Sequence, residues 1–238
     1  MIDLYQCHDP ANVGDNLALP IVRHFLGAAR LVSSRAAGKL LAVGSIMSQL
    51  QPNDVVWGTG CISDTPVVSR ENTFLAVRGA MTRNLIRNAF VPEIFGDPAL
   101  LLPLMYSPRI TKTHKIGFIP HYVDKPGFKI NDKTSVVIDV NSPWRQFIDQ
   151  VCSCESVVSS SLHGIVIAEA YGVPAEWAVY SNRVIGNGFK FRDYLTGTQR
   201  EPRPPGPFPP IPDLAVIQRK LIAVLLDHFG TSNGHAPP

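Results

Sequence analysis

Glu155 to Pro174, ESVVSSSLHGIVIAEAYGVP, is the stretch whose reading decides the fold class. The β-branched pair Val157-Val158 marks a buried strand and Ser159-Ser160-Ser161 a turn. Leu162 to Tyr171 then forms a short helix that Gly172 closes and Pro174 keeps from continuing. His163 stands at the hinge of this strand-turn-helix unit. In an open α/β sheet, ligands bind beyond the carboxyl ends of the strands. A helix that starts there directs free N–H groups and the positive end of its dipole at them. An anion is the expected guest.

Working outward, the same theme recurs on both sides. Ile2 to Cys7 is a predicted strand, followed by His8-Asp9-Pro10 and by Asn12-Val13-Gly14-Asp15-Asn16. There Asp15 or Asn16 can cap a helix through Leu17, Ile21 and Phe25. Leu41 to Ser45 and Asp54 to Gly58 are the next strands, the second ending in Gly58-Thr59-Gly60, either a tight turn or a close approach to a ligand. Phe74 to Val77 leads into Arg78-Gly79 and a helix from about Ala80 to Asn88. Arg78 at a strand end suits a bidentate clamp on phosphate or carboxylate, or else an ion pair with Asp97 or Glu93. Gly96-Asp97-Pro98-Ala99 is a turn before the apolar Leu100 to Leu104, and Tyr106 to Lys115 breaks the pattern as a linker.

Beyond it, Lys115 to Pro120 is a strand followed by His121. Thr134 to Val140 is another, and Pro143 opens a helix running to about Cys152. After the central stretch come a strand at Glu176 to Tyr180 and a Gly-rich basic loop, Asn182 to Tyr194. Glu201 to Pro212 is proline-dense, a stiff surface segment or a docking site for a partner groove. Leu214 to Phe229 is a last amphipathic helix before a tail. The expectation is an α/β chain of two Rossmann-like halves, residues 1–110 and 111–230 with a tail at 231–238, whose parallel sheets face across a cleft.

Composition narrows the function. With 45% apolar and 17% charged residues, the chain is built to bury a core, and its +3 formal charge is too small to argue for nucleic acid. A small anion needs only local positive charge. The four cysteines show no CxxC spacing, so they are expected as free thiols in a reducing compartment. Cys152 and Cys154, facing one way on a strand, would be metal ligands only with a further partner. No basic leader and no membrane-length apolar run is visible, which predicts a cytoplasmic protein with at most peripheral membrane contact.

Six segments in order carry a resemblance: Asn12-Val13-Gly14-Asp15-Asn16, Val56-Trp57-Gly58-Thr59-Gly60, Val77-Arg78-Gly79, Phe95 to Ala99, Ile119 to Asp124, and Ser159-Ser160-Ser161-Leu162-His163-Gly164. Together they resemble the polysaccharide pyruvyl transferase family. The resemblance implies a glycosyltransferase-B-like architecture. It also implies transfer of pyruvate from phosphoenolpyruvate to a sugar, commonly as a cyclic ketal across two hydroxyls. It further implies that Arg78 and His163 contact phosphoenolpyruvate. Many members carry an arginine two residues before that histidine. Here the position is Ser161, so charge must come from Arg183, Lys190 or Arg192, with Lys190 preferred because glycines leave its loop free to close.

The chemistry asks for a proton at the methylene carbon of the donor, a base for the attacking hydroxyl, and stabilisation of departing phosphate. Ser161 and His163 at the helix N-terminus can hold the phosphate while Arg78 pairs with the carboxylate. His163 is alternatively the acid itself. Asp15 is the candidate base or a helix cap. Gly14 is a further candidate substrate contact, and His121 is a contact or a satisfied structural residue. No metal and no cofactor is expected, and the partners are phosphoenolpyruvate and a saccharide acceptor, free or lipid-linked. A nucleotide-sugar glycosyltransferase would share the architecture but need a base-stacking pocket and a diphosphate clamp near Arg183 to Arg192. A serine hydrolase is a poor fit, because no GxSxG elbow exists. A non-catalytic sugar-binding protein is the remaining class.

Overall fold

The computed structural model describes residues 1–7 and 12–230; the expectations for His8-Asp9-Pro10 and for the tail lie outside the described residues. In the first part of the chain, β1 (Ile2–Tyr5) is followed by a 3-10 turn (Val13–Asn16) and α1 (Ala18–Leu26). Then come β2 (Ala29–Leu31), β3 (Leu40–Leu41), β4 (Val55–Trp57), β5 (Val67–Val68), β6 (Thr73–Ala76), α2 (Ala80–Leu85) and β7 (Ile86–Arg87). The helix cap differs from the sequence expectation. Asn12 accepts from the Gly14 N–H and caps the 3-10 turn, and the cap position of α1 is Leu17 instead of Asp15 or Asn16.

A 3-10 helix (Pro98–Leu104), capped by the Asp97 carboxylate, leads to β8 (His114–Ile119) and β9 (Val136–Val137). The chain continues through α3 (Trp144–Cys152), β10 (Cys154–Ser159), α4 (Leu162–Ala170) and β11 (Ala175–Trp177). It closes with α5 (Phe189–Gly197), β12 (Gly206–Pro207) and α6 (Leu214–Phe229). Pro143 caps α3 from outside instead of opening it, and Cys152 ends α3 while Cys154 begins β10, so the two thiols do not share a strand.

The strands make two five-stranded sheets, ordered β2-β1-β3-β4-β6 and β12-β11-β10-β8-β9, while β5 and β7 form a separate parallel pair. All pairs are parallel except β11 with the edge strand β12. Ranked by position in the chain within its own sheet, each sheet has the order 2-1-3-4-5, the second read from its other end. In such an order the strand sequence reverses beside the first strand, which opens a crevice there. One apolar core runs through both sheets, from Leu4 and Ile21 through Ile119 and Val157 to Leu225. The α4 helix, apolar on all sides, lies within this core.

Three segments fold differently from the sequence reading, each because of burial. The expected loop Asn182 to Tyr194 becomes helical from Phe189, since Phe189, Phe191 and Tyr194 bury their rings. In the proline-dense segment, Gly206–Pro207 joins the sheet edge and Phe208 enters the core, as edge pairing tolerates proline. The α6 helix returns to the first sheet, where Trp57 Nε1 donates to the Leu221 carbonyl at 2.9 Å and Gln218 donates to the Leu100 carbonyl at 2.7 Å.

The first and last parts of the site region also interlock through bare backbone. A Cβ on Gly79 would stand 1.8 Å from the Asp193 carbonyl oxygen, and one on Gly197 would stand 1.8 Å from the Arg78 carbonyl oxygen. Backbone on backbone cannot yield as a flexible side chain can. Gly79→Ala is therefore expected to lower stability by about 1–3 kcal/mol, the usual cost of overpacking, in a urea-unfolding experiment.

Candidate functional site

The two crevices of the sheets open onto one cavity of about 170 Å³. From the first sheet, Cys7 follows β1 and Ser45 follows β3. From the second, His121 follows β8, and Ser161 and His163 follow β10. Asp15 from the 3-10 turn and Lys190 from α5 complete the polar wall. The structure thus gathers Asp15, His121, Ser161, His163 and Lys190 around one space. Gly14 lies directly behind the histidine: a Cβ there would fall 1.9 Å from His163 Nδ1. Only glycine leaves room for the ring.

The turn before α4 is fixed by its own serines. Ser159 Oγ donates to the Ile119 and Ser161 carbonyls at 3.0 and 2.8 Å and accepts from the Ser161 N–H at 3.0 Å. Ser160 Oγ donates to Asp124 Oδ2 at 2.6 Å and accepts from the His121 N–H at 2.9 Å, while Ser181 Oγ donates to Asp124 Oδ1. A single buried carboxylate therefore ties three loops at the cavity edge. Ser161, at the helix cap position, makes no capping bond with its side chain, and it lines the cavity. The first-turn N–H groups of α4 begin there, an anion-binding arrangement.

His163 is almost fully buried, and its Nε2 lies 3.4 Å from Oδ2 of the fully buried Asp97. The Asp97 Oδ1 accepts from the Ala99 N–H at 2.9 Å. Asp97 is thus turned to the histidine and away from Arg78, the ion-pair partner considered from sequence.

Arg78 stands behind the cavity wall instead of in it. It is 0% exposed, its Nε donates to Asp193 Oδ2 at 2.9 Å, Nη1 to Ser45 Oγ at 2.7 Å and Nη2 to the Cys61 carbonyl at 2.6 Å. Neither Asp97 nor Glu93 takes it, because Asp193 reaches it from α5 and also accepts from the Thr82 N–H and hydroxyl at 2.7 Å each. Arg78 meets the cavity through Ser45, which lines it.

Lys190 is 8% exposed, and burial pushes its ammonium down from 10.5 to about 8, with the Arg78 charge adding to the effect and Asp15 and Asp124 opposing it. Its hold comes from helix α5 rather than from a mobile loop. Of the other cations considered from sequence, Arg183 is exposed, and Arg192 donates to the Asn187 carbonyl at 2.8 Å. Arg192 lines a second, adjoining cavity of about 440 Å³, which shares Ile185 with the first. No group of three or more potential metal ligands occurs among the described residues.

Sequence reasoning missed Asp124, Asp193 and Ser45 as parts of the site. Asp124 lies in the quoted Ile119 to Asp124 segment, a signal that was present; Asp193 and Ser45 carry none, because their partners are distant in sequence. The arrangement defines an α/β protein with a small polar-walled cavity at the meeting point of two mostly parallel sheets. The chain matches the family model for polysaccharide pyruvyl transferase over residues 65–182, a span that contains Arg78, Asp97, His121, Ser161 and His163. It belongs to the polysaccharide pyruvyl transferase family. It is 32% identical over 174 residues to the uncharacterized protein L143 of Acanthamoeba polyphaga mimivirus, covering 67% of this chain and 60% of that protein. It is 30% identical over 196 residues to the succinoglycan biosynthesis protein ExoV of Rhizobium meliloti (strain 1021), covering 77% of this chain and 60% of that protein. The chain thus spans about three fifths of the length of each. No solved structure matches.

Two outcomes follow from the buried cations. A lysine held near 8 binds fewer protons folded than unfolded, so its penalty is fully present below pH 8 and fades as pH rises from about 8 to 10.5. Lys190→Met should raise stability at pH 7 by up to about 3 kcal/mol and remove that rise, as read by denaturant midpoints across pH. Arg78→Met leaves the Asp193 carboxylate buried without its cation and should cost about 3–5 kcal/mol in the same assay.

Proposed function

We propose that this chain transfers the pyruvyl group of phosphoenolpyruvate to a sugar of a surface polysaccharide or its lipid-linked precursor. The observation that carries the reading is the convergence of both sheet crevices on one cavity holding His163, Ser161, Lys190 and the start of α4. Its volume of about 170 Å³ lies below the roughly 300–1,000 Å³ of pockets for larger ligands, which suits a three-carbon anion. In this proposal the two sheets form a glycosyltransferase-B-like pair, and the work is done in the cytoplasm. Among the described residues, no helix is long and apolar enough to cross a membrane.

The donor phosphate sits on the first-turn N–H groups of α4, Ser161 Oγ and His163, with Lys190 supplying charge to the carboxylate. Arg78 adds its positive charge from behind Ser45. Asp15 takes a proton from an acceptor hydroxyl, the donor methylene gains one to become methyl, and the sugar oxygen bonds to the central carbon. The second hydroxyl then displaces phosphate from that carbon. In balance, one hydroxyl proton ends in the methyl group and the other on phosphate.

The acceptor occupies the adjoining cavity of about 440 Å³, where Asn182, Asn187 and Arg192 offer hydrogen bonds. That cavity also favours a second reading, a nucleotide-sugar glycosyltransferase, since it lies on residues 182–192. Against it, Trp177 is 4% exposed and lies flat on Phe191 at 4.5 Å, so it presents no open aromatic face to a base. The test is incubation with phosphoenolpyruvate and a panel of glycan acceptors, followed by phosphate release and product mass. A pyruvate ketal should appear with wild type and fall at least 100-fold in His163→Ala and Gly14→Ala. Consumption of a nucleotide sugar with release of nucleotide and no ketal would favour the second reading.

A further inference from the structure

We infer that Asp97 is the positioning residue of His163, holding the ring as the tautomer protonated on Nε2 and leaving Nδ1 to work on the ligand. The inference deepens the proposed function and rests on it for the ligand, but its geometric core stands apart from any substrate. Asp97 is 0% exposed. One carboxylate oxygen is spoken for by the Ala99 N–H at 2.9 Å, which fixes the plane of the group. The other, Oδ2, has no hydrogen-bond partner among the described residues and faces Nε2 at 3.4 Å, an atom that likewise has none. Were Nε2 a lone pair, two buried acceptors would confront each other. A proton on Nε2 answers both at once, and buried polar groups pair where they can.

The backbone prevents the ring from turning away. A Cβ at Gly14 would sit 1.9 Å from Nδ1, so the histidine lies tight against that bare Cα. Nε2 is sealed from solvent while His163 lines the cavity, which leaves Nδ1 as the nitrogen available to a ligand. A base or acid oriented by a carboxylate on its far nitrogen is the arrangement that other nucleophile and acyl-transfer sites use to hold a tautomer and steady the imidazolium.

The charges facing the ring come from several elements. Asp97 precedes the 98–104 helix and Asp15 belongs to the 13–16 turn, and both bring carboxylates to the ring's side of the cavity. Lys190 of α5 brings a cation to the same cavity, His121 also lines it, and Tyr194 of α5, near Asp97, stays neutral because burial pushes its phenol well up. With Asp97 ionised, the ring can donate Nδ1–H to a phosphate oxygen. With Asp97 neutralised, it loses that support.

Asp97→Asn tests this cleanly, because the amide keeps the size and the Oδ1 that accepts from Ala99. In the full chain labelled with 15N-histidine, the wild-type spectrum should show His163 protonated on Nε2 with Nδ1 titrating. In Asp97→Asn the proton should move to Nδ1 and the titration midpoint should fall. Binding of inorganic phosphate at pH 7 should weaken at least 10-fold, with the thermal midpoint close to wild type. Turnover, once an acceptor is known, should drop by roughly 10²–10⁴ in kcat with little change in KM. A wild-type ring carrying its proton on Nδ1, or a variant with unchanged tautomer and midpoint, overturns the inference. If Asp97→Asn does not fold, the wild-type tautomer decides. Failure to pyruvylate any acceptor would count against the proposed donor chemistry and leave the tautomer result intact.

Discussion

The Arg78–Asp193 ion pair, both side chains 0% exposed, holds the site together. A guanidinium out of water is tolerated only when its donors and its charge are answered, and here every nitrogen is engaged by an acceptor from a different segment. Ser45 comes from the end of β3, Cys61 follows β4, Arg78 follows β6, and Asp193 belongs to α5. Asp193 in turn holds the start of α2 through Thr82. The close backbone approach at Gly79 and Gly197 lets the two charges meet. Because Lys190 and Asp193 lie on the same helix turn, seating the pair also seats the amine in the cavity wall.

Burial makes that amine expensive. Lys190 sits near a second cation and loses hydration, with two carboxylates, Asp15 and Asp124, only partly offsetting the cost. A folded chain gains nothing in stability from such an arrangement, and positive charge only partly offset in a cleft is what an anionic ligand would relieve. Asp124 has a different duty. Its two oxygens take hydroxyls from Ser160 and Ser181, so the loop after β8, the turn before α4 and the loop after β11 are tied together at the cavity edge.

The matching strand orders explain why the cavity forms where it does. In each sheet the chain reverses its direction of winding beside the first strand, and the loops leaving the strands on either side of that point separate. Here the two crevices confront each other, so residues far apart in the chain share one small volume. The fold by itself does not specify chemistry. The histidine, the serine and the helix start narrow it, and family membership agrees with the narrowing.

Local signals were enough for the strand-turn-helix at 155–174, for His163 at its hinge, and for the placement of Asp15 and Ser161 in the turns before helices, whereas Lys190, expected on a glycine-rich loop, is held by α5. Those readings depend on neighbours within one or two turns, where β-branched runs, glycine stops and proline breaks act directly on the backbone. The order of short glycine-rich segments likewise pointed to the family. Tertiary structure alone decided which carboxylate answers which cation. Arg78 found Asp193, 115 residues away, and Asp97 was left for His163, because the partner of a buried charge is set by how helices and sheets pack and leaves no periodic mark in the chain. For the same reason α5 became helical and α6 crossed back to the first sheet: their aromatic and aliphatic faces had apolar surface to cover that only the assembled core provides.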